Sequence, residues 1–218
     1  MLIFRGNLDL LASIVRDEIR PELHGFEHVT NYVKTADWCE RGGIVGRGVL
    51  LDYVGYLEAK GLQLPDPCKT HGITVKDLDA VIKYQNVSIT TGDILFIRTG
   101  FVRWYNSASD DELYRKLGGE TSTYVGVQGS EEMKKWLWNH HFAALASDTI
   151  AFEMRPHGPC SLHSVVLPLW GTPLGELFDL ERCAEYCKQY QRWSFFVTSA
   201  PLNIPNGVAS PPNIIAVF

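Results

Sequence analysis

The run GGIVGRGVLLD, residues 42–52, constrains the fold most tightly. It pairs turn glycines with an unbroken apolar stretch of strand length, which is the pattern of a buried strand flanked by tight turns. GDILFIRTGF, residues 92–101, repeats it, opening on a Gly-Asp turn and running as a strand into Thr99 and Gly100. Between the two, residues 73–85 read as a helix with Thr74 as N-cap, Asp77 completing a capping box, and Val75, Leu78, Val81 and Ile82 facing inward. Residues 130–153 open on a Ser130 cap, follow a helical stripe through Met133, Leu137, Trp138 and Phe142, and become a strand over Ala143–Ala146 with Asp148 at its tip. The tail adds a strand SFFVTSA, a proline-rich crossing and a last strand NIIAVF. These elements predict a single α/β domain with a core of mixed sheet and flanking helices.

Composition closes off several functions. The chain has 218 residues, a net charge of −5 and 20 basic residues that are scattered rather than clustered, so no nucleic-acid footprint is present. No apolar run reaches the roughly 18 residues of a membrane span, and Arg5, Asp9, Arg16, Asp17 and Glu18 interrupt the region where a signal peptide would be apolar. The five cysteines are odd in number and lack paired zinc spacing, which fits a reducing, cytoplasmic setting. Cys183 and Cys187 share one face of a helix expected over 179–192, where they serve core packing. Residues 7–19 place Leu8, Leu11, Ile14, Val15 and Ile19 on one stripe, an amphipathic helix suited to docking a second subunit. A homo-oligomer acting on a small molecule is the expected assembly.

Chemistry concentrates in LHSVVLPLWGTPLGELFDLE, residues 162–181, where His163 and Glu176 stand either side of an apolar run. SVVLPLWG reads as a short buried strand ending at Pro168 and Gly171, which would set both side chains at a crevice held by rigid backbone. Arg98 and Thr99 fall at the carboxyl end of their strand, where Arg98 either grips a substrate carboxylate or enolate or makes a cross-strand ion pair. The segment from Arg103 to Gly119 reads as a lid-like polar excursion whose Trp104 and Tyr105 could cover an aromatic substrate.

The 162–181 run, GGIVGRGVLLD, GDILFIRTG and the tail SFFVTSAPLNIPNGVASPPNIIAVF together resemble the cyclase family of metal-dependent hydrolases, the family of kynurenine formamidase, over residues 42–218 and most closely its fungal members. The resemblance implies a swivelling β/β/α-type core, an active centre containing His163 and Glu176, and Asp148 and Glu153 at the rim. It also implies that Ser199, Pro201, Gly207 and the corner of Ser210, Pro211 and Pro212 shape the pocket wall, and Trp170 is a further substrate-binding candidate. Most members carry His-x-Gly-Thr-His-x-Asp-x-Pro-x-His, in which two His and the Asp hold a divalent metal. Here His28 matches the final His and His24 the Asp position, while Glu18 and Glu22 stand where the two leading His would be. Zinc or manganese needs three or four N, O or S donors at about 2.0–2.2 Å, so no cofactor is expected in the family's usual form, while Glu22, His24, His28, His163 and Glu176 leave a different, oxygen-rich set for Zn or Mn open. By the same resemblance, residues 1–35 form a rebuilt or truncated arm and 36–218 the cyclase-like domain.

The function this implies is acid-base chemistry by His163, Glu176, His28 and His24 on a small cyclic or polyketide-like metabolite, making or hydrolysing an amide- or lactone-type bond, with His28 or His163 as base and Glu176 as acid or orienter. A metal-free cyclisation, dehydration or isomerisation in secondary metabolism is the second expectation. A ligand-binding protein on an inactive scaffold is the third.

Overall fold

Seven strands hydrogen-bond into one sheet in the computed structural model, which describes residues 2–5, 35–117, 123–203 and 209–218. The strands are β1 (Leu2–Arg5), β2 (Ile44–Asp52), β4 (Ile94–Arg98), β6 (Ala144–Ser147), β7 (Leu174–Gly175), β8 (Ser194–Ser199) and β9 (Asn213–Val217), in the order β1-β9-β8-β2-β4-β6-β7. β2, β4, β6 and β7 run parallel, and β8, β9 and β1 add antiparallel pairs at the other edge. A separate two-stranded parallel ladder joins β3 (His71–Ile73) to β5 (Val125–Val127). The expected single α/β domain of mixed sheet and helices is what forms. The helix expected over residues 7–19, together with His24 and His28, lies outside the described residues, as does most of the 1–35 arm; β1, its described part, pairs with β9.

The helices are α1 (Thr35–Glu40), α2 (Tyr53–Ala59), α3 (Val75–Gln85), α4 (Phe101–Ser107), α5 (Asp110–Leu117), α6 (Glu131–His140), α7 (His163–Val166) and α8 (Glu181–Tyr190). Thr74 accepts from the Asp77 N–H and Asp77 returns a bond to the Thr74 N–H, so the capping box read from the sequence starts α3. Ser130 caps α6 through the Met133 N–H. Two findings differ from the sequence reading. The polar excursion after Arg98 is helical, as α4 and α5, and the apolar run after Leu162 is a helical turn rather than a strand. In that run Leu162 and Val166, four apart, are the fully buried pair, which is a helical and not an alternating period.

The central strands are covered on both faces, which is why they are uniformly apolar. Val49, Leu51, Leu95, Ile97 and Leu145 meet Leu78 and Val81 of α3 and Met133 and Leu137 of α6. Leu50, Ile94, Phe96, Ala144 and Ala146 point the other way, against Cys183, Ala184 and Cys187 of α8. The two cysteines are therefore core residues, as their spacing predicts.

Charge at the carboxyl ends of the parallel strands is answered on the spot. Asp52 and Arg98 are register partners on β2 and β4, and Arg98 Nη1 donates to Asp52 at 2.7 Å. Its Nε and Nη2 form a fork onto Glu181 at 2.8 and 2.6 Å. Beyond β6, the fully buried Asp148 accepts from Thr99 N–H, Thr99 Oγ1 and Gly100 N–H at 2.6, 2.7 and 2.8 Å, tying two strand tips together. Burial pushes the Asp148 carboxyl up to about 6 against the pull of these donors. Replacing Arg98 by Met leaves Asp52 buried and unpaired, and should cost about 3–5 kcal/mol of stability. Urea unfolding of Arg98→Met beside the parent measures this, and a loss below about 1 kcal/mol would contradict the structural role given to the guanidinium.

Candidate active site

His163 opens α7, and its ring is suspended between two carboxylates. Nδ1 lies 2.8 Å from Glu153 Oε1 and Nε2 lies 2.9 Å from Glu176 Oε1. Glu153 also accepts from Ser161 Oγ at 2.9 Å, Leu162 N–H at 2.6 Å and His163 N–H at 3.3 Å. One buried carboxylate thus holds both the imidazole and the backbone that carries it.

Local sequence explains why Glu153 can sit there. It follows β6 at the end of DTIAF and bridges in parallel to Val127 of β5. Gly126 lies so close that a Cβ at that position would come within 2.4 Å of the Glu153 carbonyl carbon. At Gly129 a Cβ would stand 2.0 Å from the Cys160 carbonyl oxygen and 3.2 Å from Glu153 Oε2. Only glycine lets the VGVQG segment pack onto the 153–160 loop at this distance.

Glu176 arrives by a different device. It leaves β7 just before Leu177, which is 1 % exposed and has a φ of 55°, a left-handed backbone that a bulky side chain rarely adopts. The Leu177 N–H bonded to Thr149 O at 3.1 Å and the Phe178 N–H bonded to Ser147 O at 3.1 Å hold the turn in place. Strain of this kind survives only where the surroundings overdetermine it, and it clusters at functional sites.

The electrostatics make the ring a cation. Desolvation alone would lower the imidazole, but the hydrogen bonds and charges of Glu153 and Glu176 overrule it and push the group from 6.5 up to about 10. Burial would raise the Glu153 carboxyl, but its donors, His163 first, hold it below the usual carboxylate value. His163 and Glu176 each keep about a third of their side-chain surface exposed, so this end of the cluster faces solvent while Glu153 is covered.

The other residues singled out from the sequence stand elsewhere. Arg98 is 6 % exposed with its donors committed to Asp52 and Glu181, which is the cross-strand ion pair and not a substrate clamp. Asp148 is enclosed as a structural acceptor. Trp104 donates through Nε1 to Glu112 at 3.1 Å and packs on Phe101, with Lys116 over its ring, so it belongs to the α4–α5 hairpin rather than to an open lid. Tyr105 packs against the core beside it. Trp170 faces Trp138 at 5.2 Å across a groove also lined by Leu137, His141, Phe142, Leu145 and Thr172, a set that includes none of Glu153, His163 and Glu176. Glu153, ranked behind His163 and Glu176 from the sequence, proves central to the cluster. Its signal in the sequence is the resemblance of SDTIAFE to the family's rim segment.

Among the described residues, this centre offers fewer donors than a divalent metal needs. His163 Nε2 and Glu176 Oε1 converge as one nitrogen and one oxygen, and among the described residues no group of three or more His, Cys, Asp and Glu is placed to hold an ion. No helix among the described residues is long and apolar enough to cross a membrane.

Comparison with known proteins sets this geometry in a family. Residues 23–154 match the family model described as "Putative cyclase". A crystal structure described as that of a novel cyclase is 33% identical, with a TM-score of 0.72 over 85% of this chain. The chain spans 57% of that protein's length. Isatin hydrolase A from Ralstonia solanacearum superposes with a TM-score of 0.61 at 15% identity, covering 98% of this chain and 70% of its own. Isatin hydrolase A from Labrenzia aggregata, bound to benzyl benzoate, gives 0.56 at 16% identity, with 98% and 71% covered. At these identities the two hydrolases share the fold with this chain. No curated protein matches it. With three fifths of its residues inside the family model and a one-third-identical structural relative over most of its length, the chain belongs to the cyclase family.

Proposed function

We propose that this protein is a hydrolase or cyclase that opens or closes an amide- or lactone-type bond in a small cyclic molecule, with His163 as acid and Glu176 as base. The observation that carries the proposal is the solvent-facing contact of 2.9 Å between His163 Nε2 and Glu176 Oε1, with the far side of the ring anchored on Glu153. From the sequence, His28 or His163 is expected as base and Glu176 as acid or orienter; we assign the roles the other way because two flanking carboxylates make the His163 ring an imidazolium near neutral pH, so its chemistry begins with a proton to give.

The hydrolytic direction balances with these groups alone. The Glu176 carboxylate takes a proton from an attacking water as the water oxygen bonds to the substrate carbonyl carbon. The His163 imidazolium gives its Nε2 proton to the leaving nitrogen or oxygen as the ring bond breaks. The proton on Glu176 then returns to His163 Nε2 across their own hydrogen bond, leaving the pair as it started with one water consumed. Positioned acid-base groups contribute roughly a hundred- to ten-thousandfold each. The cytoplasmic setting, the homo-oligomer and the absence of a tightly bound zinc or manganese in the family's usual geometry belong to this proposal. The last is supported by Glu18 and Glu22 at the two leading His positions of the motif. Stoichiometric metal in protein purified without chelator would overturn it.

Three outcomes follow. His163→Ala should lower turnover by roughly two orders of magnitude or more, and Glu176→Gln by nearly as much. The double variant should lose little beyond the worse single one, because the two groups serve one proton circuit. Steady-state kinetics on the three variants, with melting temperatures alongside, checks this; full turnover by a well-folded His163→Ala protein would contradict the assignment. Stability should also respond to pH. His163 has a folded value near 10, above its ordinary 6.5, so the folded state binds more protons between those limits and stability falls as pH rises. The contribution is complete below 6.5 and gone above about 10. Urea unfolding at several pH values should show this decline in the parent and a shallower one in His163→Gln, and parallel curves would contradict it.

A further inference from the structure

We infer that Glu153 is a positioning residue of this centre: its carboxylate fixes the angle of the His163 ring and keeps Nδ1 protonated, so that Nε2 is the nitrogen presented to substrate. The inference rests on the reading of His163 as the acid and adds a group that does not itself meet the reactants. Its first support is that the four hydrogen bonds converge from three consecutive residues. Oε1 takes His163 Nδ1, His163 N–H and Ser161 Oγ, while Oε2 takes Leu162 N–H. Ring and backbone are therefore indexed to the same two oxygens, and α7 cannot begin at another angle without breaking several of these bonds.

The second support is enclosure. Glu153 is 5 % exposed, and the close packing of Gly126 and Gly129 on the 153–160 loop leaves the carboxylate no room to withdraw from the ring. A covered, ionised carboxylate 2.8 Å from Nδ1 can be satisfied only by a donor there, so Nδ1 must carry its proton. Among the described residues, the charged groups facing the ring are Glu153 and Glu176; Lys134 and Glu131 of α6 act on the neighbouring Cys160. Replacing Glu153 by Gln keeps the size but removes the charge, and a side-chain NH2 turned toward Nδ1 would favour a neutral ring with its lone pair on that nitrogen.

The test is Glu153→Gln in the full chain, read two ways. Nitrogen-15 NMR of the imidazoles, with His163 assigned by comparison with His163→Gln, should show the ring titrating about 1–3 pH units lower than in the parent, the usual span for losing an adjacent opposite charge. The alkaline limb of the kcat/KM profile should move down by the same amount, whereas a residue that merely props the fold would lower kcat/KM at every pH without moving the limb. In the parent, both ring nitrogens should carry protons at pH 8, a measurement that stands even if the variant fails to fold. An unshifted titration in the variant, or a neutral ring in the parent at pH 8, overturns the inference. A ring that titrates lower while the activity profile stays put leaves the hold of Glu153 on the ring intact and overturns instead the reading of His163 as the acid.

Discussion

An ionised carboxylate taken out of water must be met by donors within hydrogen-bond reach, and the region around His163 is arranged by that requirement at Glu153. The donors come from Ser161, Leu162 and His163. Meeting the carboxylate draws the loop down onto β5 and the residues just after it, where only Gly126 and Gly129 allow the approach, and it starts α7 with the imidazole already aimed. The ring then carries a positive charge that a second carboxylate can share, and Glu176 is brought to it by a left-handed turn at Leu177 that would be costly without its surroundings. Rigid backbone on one side and solvent on the other leave one proton donor and one acceptor exposed together.

The same requirement runs along the carboxyl ends of the parallel strands. Arg98 is locked between Asp52 and Glu181, and Asp148 is closed over by Thr99 and Gly100. These charges stiffen the platform beneath the site. Their burial explains why Asp52, Arg98 and Asp148, at or just beyond the tips of β2, β4 and β6, are structural here, while the proposed reactive pair stands on the connection leaving β6 and at the carboxyl end of β7.

Much of the platform was legible in the sequence because it is local. Continuous apolar runs bounded by glycine turns announce buried strands, and Thr74 with Asp77, or Ser130 before Met133, announce helix starts by chemistry that acts over three residues. The partnership of His163 with Glu176 could be suspected from their neighbourhood in the chain. Less legible was whatever depends on contacts distant in sequence. The run SVVLPLWG has strand-forming residues, yet Glu153, ten positions before His163, organises its start as a helix. The two readings of Arg98, clamp or ion pair, stay open in the sequence because Glu181, its second partner, lies 83 residues away. Trp104 and Tyr105 suggested a lid because a polar, aromatic stretch of that composition is ambiguous until Glu112 and Lys116 fold back over the indole.

The central claim is that a protonated His163 and an ionised Glu176 act together. The most direct measurement is the pH dependence of kcat/KM for the unaltered protein on whichever small cyclic amide or lactone it turns over. The account predicts activity that holds across neutrality and is lost on the alkaline side only well above 6.5, as the imidazolium gives up its proton. Activity that instead climbs through the ordinary histidine range and stays high in alkali would mean that the ring works as a neutral base, and would contradict it.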